Sequence, residues 1–124
     1  MEPPGGGDVW RWARSNGPQF WKARKLLLEA GFHPEIEVSF GRYRVDLLLR
    51  GLPRRLKRSY ERSKGKLRLF GRRIGPIPHG HFLAIEIDGP HHEGNRDAQR
   101  DQYLLKHHKV YVVRFDASEI EALS

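Results

Sequence analysis

The chain has 124 residues, of which 38% are hydrophobic, and its formal net charge is +8 at pH 7. This length suits one domain with a modest core, and the sequence contains no run of about 18 apolar residues that could form a transmembrane helix. The absence of cysteine excludes disulfides, thiolate metal sites and thiol nucleophiles. The N-terminus lacks the basic and then apolar pattern of a secretory signal, so we expect a cytoplasmic protein without a membrane partner.

The first part of the chain divides into a tail and a helix. Residues 1–17 contain Pro3-Pro4, three consecutive glycines and an Asn-Gly-Pro break, which predict a flexible N-terminal tail. Residues 18–124 are expected to form the single domain. A helix is predicted over residues 18–30, because proline stands in its first turn, glycine follows it, and apolar residues recur near the helical period at Phe20, Ala23, Leu27 and Ala30.

Two strands are predicted next. Residues 35–40 alternate apolar and polar side chains, and a Gly-Arg turn leads back into residues 43–49, which together indicate a hairpin. In the second strand the period of two places Val45, Leu47 and Leu49 on one face and Asp46 on the other. An acid inside an apolar strand is a solvent-exposed residue on an edge strand, a partner of Arg42 or Arg44, or part of a site.

A basic insertion follows at residues 51–80. Between residues 50 and 73 the chain has eleven lysines and arginines against one acid, whereas the rest has twelve bases and fourteen acids. Leu52, Leu56 and Tyr60, spaced by four, predict a short helix, and residues 66–70 alternate like a small strand. A solvated basic loop is one interpretation. We favour a polyanionic partner, because basic residues that neutralise phosphates release counterions and so give affinity without sequence information.

Residues 82–92, FLAIEIDGPHH, contain the strongest functional signal. The alternating run places Glu86 and Asp88 on one face with Ala84, while Leu83, Ile85 and Ile87 point the other way. Two close carboxylates beside apolar neighbours are costly unless a cation balances them. The pattern therefore indicates a divalent metal bound through oxygen ligands.

The last part of the chain completes an α/β pattern. A helix is predicted over residues 95–108 with Asn95 as its cap, a strand over 110–115, and a short helix from Ser118. The resulting order is helix, strand, strand, basic insertion, strand, helix, strand, helix. This order predicts an α/β sandwich with a mixed sheet, in which an antiparallel hairpin precedes a helical crossover.

A set of residues in this order resembles a known superfamily. The set comprises Asp46, Glu86-Ile87-Asp88-Gly89, His92, Arg100-Asp101, Leu104 and Val112-Val113-Arg114-Phe115. It is similar to the PD-(D/E)XK restriction-endonuclease-like superfamily, and within it to the very-short-patch-repair-like nucleases; it also resembles the RAP domain of RNA-associated proteins. The resemblance covers about residues 18–120 apart from the insertion. It implies an αβββαβ core with a mixed sheet flanked by helices, and a basic insertion between strands 2 and 3.

The resemblance also implies roles for individual residues. Asp46 and Glu86 would bind Mg²⁺, for which Mn²⁺ could substitute, and Asp88 would be a further ligand or would orient one. His92 would position or deprotonate the attacking water, while His91 occupies a variable position. Asp101 would either hold its helix against the site or form an ordinary helix-face salt bridge.

This chain departs from the superfamily pattern in three places. The usual lysine two residues after the glutamate is replaced by Asp88, so no positive charge stands at that position. The acid of the first helix has no clean counterpart, since Gln19 falls near the expected place. The glycine that normally precedes the last strand is replaced by His108 or Lys109.

The expected function is therefore that of a Mg²⁺-dependent DNA endonuclease or nickase. We expect its partner to be double-stranded DNA and the protein to act as a monomer or homodimer. The basic residues of the insertion would bind the nucleic acid: Arg54, Arg55, Lys57, Arg58, Arg62, Lys64, Lys66, Arg68, Arg72 and Arg73. Two alternatives stay open at this point. One is a nuclease-like module that binds RNA or DNA without chemistry, and the other is a dimeric resolvase of branched (Holliday-junction) DNA.

Overall fold

The computed structural model describes residues 17–89 and 94–123. Most of the predicted N-terminal tail lies outside these residues. The elements of the described chain are α1 (Pro18–Glu29), β1 (Glu35–Phe40), β2 (Tyr43–Leu49), α2 (Arg54–Arg62), β3 (Leu67–Leu69), β4 (Arg72–Ile74), β5 (Phe82–Asp88), α3 (Gly94–His108), β6 (Val110–Asp116) and α4 (Ala117–Glu121). The predicted order of helices and strands is confirmed. Helix α3 begins at Gly94, before the residue that we predicted as its cap.

Helix α1 begins and ends as its sequence predicts. Proline occupies the first turn, where its missing N–H would have no helical partner. At the other end Gly31 has a φ of +95°, which glycine adopts at little cost. The backbone N–H of Phe32 then donates to the carbonyl of Leu27 over 2.9 Å. This turn directs the buried Phe32 back into the core and starts the approach to β1.

The main sheet is mixed, as predicted. Its strand order is β1-β2-β5-β6. Strands β1 and β2 form an antiparallel hairpin, β2 pairs antiparallel with β5, and β5 pairs parallel with β6. Helix α3 makes the crossover that the parallel pair requires. The protein is therefore a mixed α/β fold whose sheet is flanked by helices.

Each face of the sheet covers its own apolar cluster. One cluster joins α1, the insertion and α4 to the sheet through residues such as Phe20, Leu27, Leu47, Ile85 and Ile120. The other cluster lies under α3 and contains Val45, Leu48, Ala84, Leu104 and Val110. Strand β5 contributes to both, with Leu83 and Ile85 on the α1 side and Ala84 on the α3 side, as its alternating pattern predicts.

The basic insertion is a folded unit on the α1 side of the sheet. Leu56 and Tyr60 of α2 pack against the core, which confirms the predicted apolar stripe. Strands β3 and β4 form a two-stranded antiparallel sheet, of which only β3 was predicted. The Tyr60 hydroxyl accepts a hydrogen bond from the N–H of Ile77 over 2.8 Å and donates to the carbonyl of Ile77 over 3.4 Å. These two hydrogen bonds connect the helix of the insertion to the segment near its end.

None of the helices in the described ranges combines the length and the apolar character that spanning a lipid bilayer requires.

Candidate active site

The structure brings Asp46 and Glu86 together on neighbouring strands. The β2–β5 ladder pairs Leu49 with Leu83 and ends at Leu47 with Ile85, so Asp46 and Glu86 are the next positions in this register. The backbone N–H of Asp46 donates to Oε2 of Glu86 over 2.5 Å. The backbone N–H of Ile87 donates to Oδ2 of Asp46 over 2.9 Å. Each acid therefore accepts a hydrogen bond from the backbone of the opposite strand, beyond the point where the regular ladder ends.

The pair lies at a local distortion of the sheet. Glu37, which would face Asp46 in the β1–β2 register, has a φ of +54° and interrupts the regular pairing. Val45 then packs in the α3 cluster while Leu47 and Leu49 pack in the α1 cluster. The prediction that these three share one face is therefore wrong, because the alternation breaks at Asp46.

The two carboxyl groups have unfavourable surroundings for charge. Glu86 is only 4% exposed. Burial, followed by the nearby charge of Asp46, raises the pKa of Glu86 to about 8, although the guanidinium of Arg100 acts in the opposite direction. Burial is also the main reason that the pKa of Asp46 is raised, and the charge of Glu37 adds to it. Both carboxyl groups are therefore held toward their protonated forms, mainly because burial removes them from water.

Arg100 of α3 is the cation that contacts this pair. Its Nη2 donates to Oε1 of Glu86 over 2.5 Å and also to the backbone carbonyl of Arg44. With Oε2 bonded to the N–H of Asp46, both oxygens of Glu86 have a donor. Arg100 consequently fixes the orientation of Glu86 and joins α3 to the two central strands.

A second arginine, Arg114 of β6, is surrounded by aspartates. Its Nη1 lies 3.1 Å from both carboxylate oxygens of Asp88. Its Nε and Nη2 donate to Asp101 over 2.9 and 2.7 Å in a bidentate pair, and Asp97 lies 3.7 Å away. Arg114 therefore joins β5, β6 and α3, and Asp101 does hold its helix against the sheet beside the acid pair.

A small pocket opens next to Asp46. Its volume is about 170 Å³, and the residues that line it include Gln19 and Phe20 of α1, Ile87 and Gly89 at the end of β5, and Asp46 itself. Gln19, which the resemblance placed near the missing helix acid, thus faces the same pocket as Asp46. The pocket is large enough for a few water molecules or a hydrated ion.

The predicted site residues separate into two groups. Asp46 and Glu86 form the acid pair, whereas Asp88 faces Arg114. His91 and His92 lie outside the described residues. No sequence pattern indicated that the charge of Glu37 acts on Asp46, because the alternation of β1 treats Glu35 and Glu37 alike. The structural roles of Arg100 and Arg114 could be found only from their contacts, although both belong to the motif that suggested the superfamily.

The acid pair fits a hard cation in its chemistry. Asp46 and Glu86 supply carboxylate oxygens, which Mg²⁺ prefers. Burial raises the pKa values of both groups, so a bound cation would favour their ionised forms. In the described part of the chain, no three His, Asp or Glu side chains are grouped as ligands for one ion. Two protein ligands completed by water and substrate are usual for Mg²⁺. Both oxygens of Asp88 contact Arg114 rather than the acid pair.

The basic residues of the insertion all lie on the surface. Each of the ten that we predicted to bind nucleic acid is exposed: Arg54, Arg55, Lys57, Arg58, Arg62, Lys64, Lys66, Arg68, Arg72 and Arg73. Within the described residues only Arg72 has an acid partner, Glu119 at 3.9 Å. Arg72 also donates to the backbone carbonyl of Arg114, which pairs with Glu86 in the β5–β6 register. The basic surface therefore reaches to within one strand of the acid pair.

Comparison with known proteins identifies no relative of this chain. No protein-family model matches it, and neither the curated proteins nor the solved structures contain a significant match.

Proposed function

We propose that the protein is a Mg²⁺-dependent DNA endonuclease or nickase with a restriction-endonuclease-like core, similar to the very-short-patch-repair-like branch of the PD-(D/E)XK superfamily. The observation that carries the proposal is the pair Asp46 and Glu86. The buried Glu86 and the half-buried Asp46 come from adjacent strands. Burial is the main reason that both pKa values are raised, and the charge of Asp46 adds to the effect on Glu86. The motif resemblance and the exposed basic insertion support the same conclusion.

The residues around the acid pair have different roles in the proposed reaction. When bound, Mg²⁺ supplies a Lewis acid for the scissile phosphate and lowers the pKa of water. Asp46 and Glu86 would hold the ion, and Arg100 keeps the carboxylate of Glu86 in position. Asp88 and Asp101 hold Arg114 one strand away from Glu86. His92, outside the described residues, is the candidate for positioning the attacking water.

The insertion would supply the affinity for DNA. Nine of its exposed lysines and arginines have no acid partner in the described chain, so their charge is available to phosphates. Each phosphate that they neutralise contributes about −0.9 to the slope of log K against log salt concentration on duplex DNA. The contact of Arg72 with β6 would place the bound backbone near Glu86.

Nicking of supercoiled plasmid tests the proposed site. Wild type is expected to convert supercoiled to open-circular DNA in Mg²⁺, whereas Asp46→Ala and Glu86→Ala lose at least 100-fold in rate, the order expected when a metal ligand is removed. Glu35→Ala is the matched control, because this acid also lies on the sheet but forms an exposed pair with Arg50. Equal nicking by all four proteins would reject the site.

One observation favours a second candidate, a module that binds nucleic acid without cleaving it. Asp88 stands where the superfamily has lysine, and both of its oxygens contact Arg114. Calorimetric titration with Mg²⁺ and with Mn²⁺ separates the two candidates. A nuclease should bind the ions through Asp46 and Glu86, whereas a module with a disabled site should bind DNA at the insertion and give no heat with either ion.

A further inference from the structure

We infer that the protein has a second binding site, which accepts a small organic anion with an apolar body. The site is a cavity of about 430 Å³ between the C-terminal half of α1, helix α2 and strand β3. Its volume falls in the range of small-molecule pockets, which are mostly apolar with a few placed polar groups. Neither acid of the proposed catalytic pair lines it, although two of its residues, Arg55 and Arg68, also belong to the basic set proposed to bind DNA.

The walls of the cavity come from four segments that are distant in sequence, the last of which contributes Leu123. Leu26 and Leu27 of α1, Leu56 of α2, and Leu69 and Phe70 in and after β3 supply apolar surface, and the buried Phe32 also lines it. These side chains offer no hydrogen-bonding groups of their own. An occupant must therefore present an apolar surface to them, since a polar group facing them would lose its hydration without compensation.

Two arginines give the cavity its charge preference. Arg55 of α2 and Arg68 of β3 belong to the lining, and no acidic side chain does in the described chain. Arg68 donates one hydrogen bond to the carbonyl of Gly71 over 3.3 Å, and neither guanidinium has an acid partner there. Both lie on the exposed surface, so they can contact a carboxylate, sulfonate or phosphate at the opening. Charge complementarity therefore selects an amphipathic anion over a neutral apolar molecule.

Two fluorescent probes test whether the cavity binds an apolar molecule and whether it prefers an anion. 1-Anilinonaphthalene-8-sulfonate is an aromatic anion of the required kind, and N-phenyl-1-naphthylamine is a similar molecule without the charge. We expect wild type to bind the anionic probe with one-to-one stoichiometry and at least tenfold more tightly than the neutral one. In Arg55→Gln/Arg68→Gln this preference should fall to within twofold, while binding of the neutral probe is unchanged.

A matched pair of helix variants tests the location. Leu26→Glu places a negative charge in the cavity, whereas Leu28→Glu changes a residue of the same helix that is 42% exposed and does not line it. The first should weaken binding of the anionic probe at least tenfold, and the second should leave it within twofold. Equal binding by both variants, or equal affinity of wild type for the two probes, would overturn the inference.

A measurement on wild type guards against misfolded variants. Titration of the isotopically labelled protein with the anionic probe should shift the amide resonances of Leu26, Leu56 and Leu69, and leave those of Val45 and Leu104 in the α3 cluster unchanged. Shifts spread over both clusters, or none, would contradict a site at this cavity. Because the readout is binding, the result does not depend on whether the protein cleaves DNA.

Discussion

Replacing Glu86 by glutamine should make the stability of the protein much less dependent on pH. The folded state raises the pKa of Glu86 from 4.5 to about 8. Between these values the folded protein keeps a proton that the unfolded chain releases, so the free energy of unfolding falls as pH rises. The contribution of protonated Glu86 to stability is complete below its pKa in the unfolded chain and is lost as pH rises through its pKa in the folded protein. Glutamine resembles the protonated carboxyl at every pH and removes this term.

The size of the effect follows from the two pKa values. One pKa unit corresponds to about 1.4 kcal/mol, and integrating the proton uptake between pH 6 and pH 8 gives about 2 kcal/mol for Glu86. A chain of 124 residues has an unfolding entropy of roughly 0.26 kcal/mol per kelvin near 60 °C. The melting temperature of wild type should therefore fall by about 8 °C between pH 6 and pH 8. Asp46, whose pKa is also raised, contributes with the same sign.

Thermal unfolding followed by circular dichroism at pH 6, 7 and 8 measures this difference. Without metal, the melting temperature of Glu86→Gln should change by less than half as much as that of wild type, so that the variant is the more stable protein at pH 8. Glu35→Gln, which removes an exposed acid from the same sheet, should follow wild type. Parallel curves for wild type and Glu86→Gln would refute the argument that burial and Asp46 raise the pKa of Glu86.

Three further predictions follow from the same contacts. At pH 8, 10 mM Mg²⁺ should raise the melting temperature of wild type by several degrees but not that of Asp46→Asn. An ion bound with a Kd of about 1 mM would stabilise the folded protein by about 1.4 kcal/mol at this concentration. Equal shifts in the two proteins would show that the ion binds elsewhere. Arg114→Met should lower the free energy of unfolding by about 3 kcal/mol in urea titration, because it leaves partly buried aspartates without their cation. A loss below about 1 kcal/mol would contradict the conclusion that Arg114 holds β5, β6 and α3 together. Lys57→Ala/Arg58→Ala should reduce the salt slope of duplex binding by about 2, whereas Lys106→Ala on the opposite face should not change it; an unchanged slope in the double variant would remove α2 from the interface.

The order of elements was predictable because local patterns determine it. The apolar spacing of α1, the Gly-Arg turn before β2 and the alternation of β5 each act over a few residues. Strand β4 escaped prediction because Arg72, Arg73 and Ile74 are too few and too charged to show a period. Its pairing with β3 is visible only in three dimensions.

The acid pair was predictable in part. The sequence placed Asp46 and Glu86 on separate strands with apolar neighbours, and antiparallel pairing of β2 with β5 brings them together. The positive φ of Glu37 was not predictable, because the alternation of β1 gives Glu35 and Glu37 the same pattern. The contact of Asp88 with Arg114 depends on the parallel register of β5 and β6, which a sequence pattern does not specify.

The double hydrogen bond of Tyr60 to Ile77 has a thermodynamic consequence for any partner of the insertion. A basic segment that is unstructured when free must lose conformational entropy as it binds, which weakens the complex. Here the two hydrogen bonds hold α2 against the segment that follows β4, so the backbone of the insertion is already ordered in the folded protein. If the insertion binds DNA as proposed, only its long basic side chains would have to be ordered upon association.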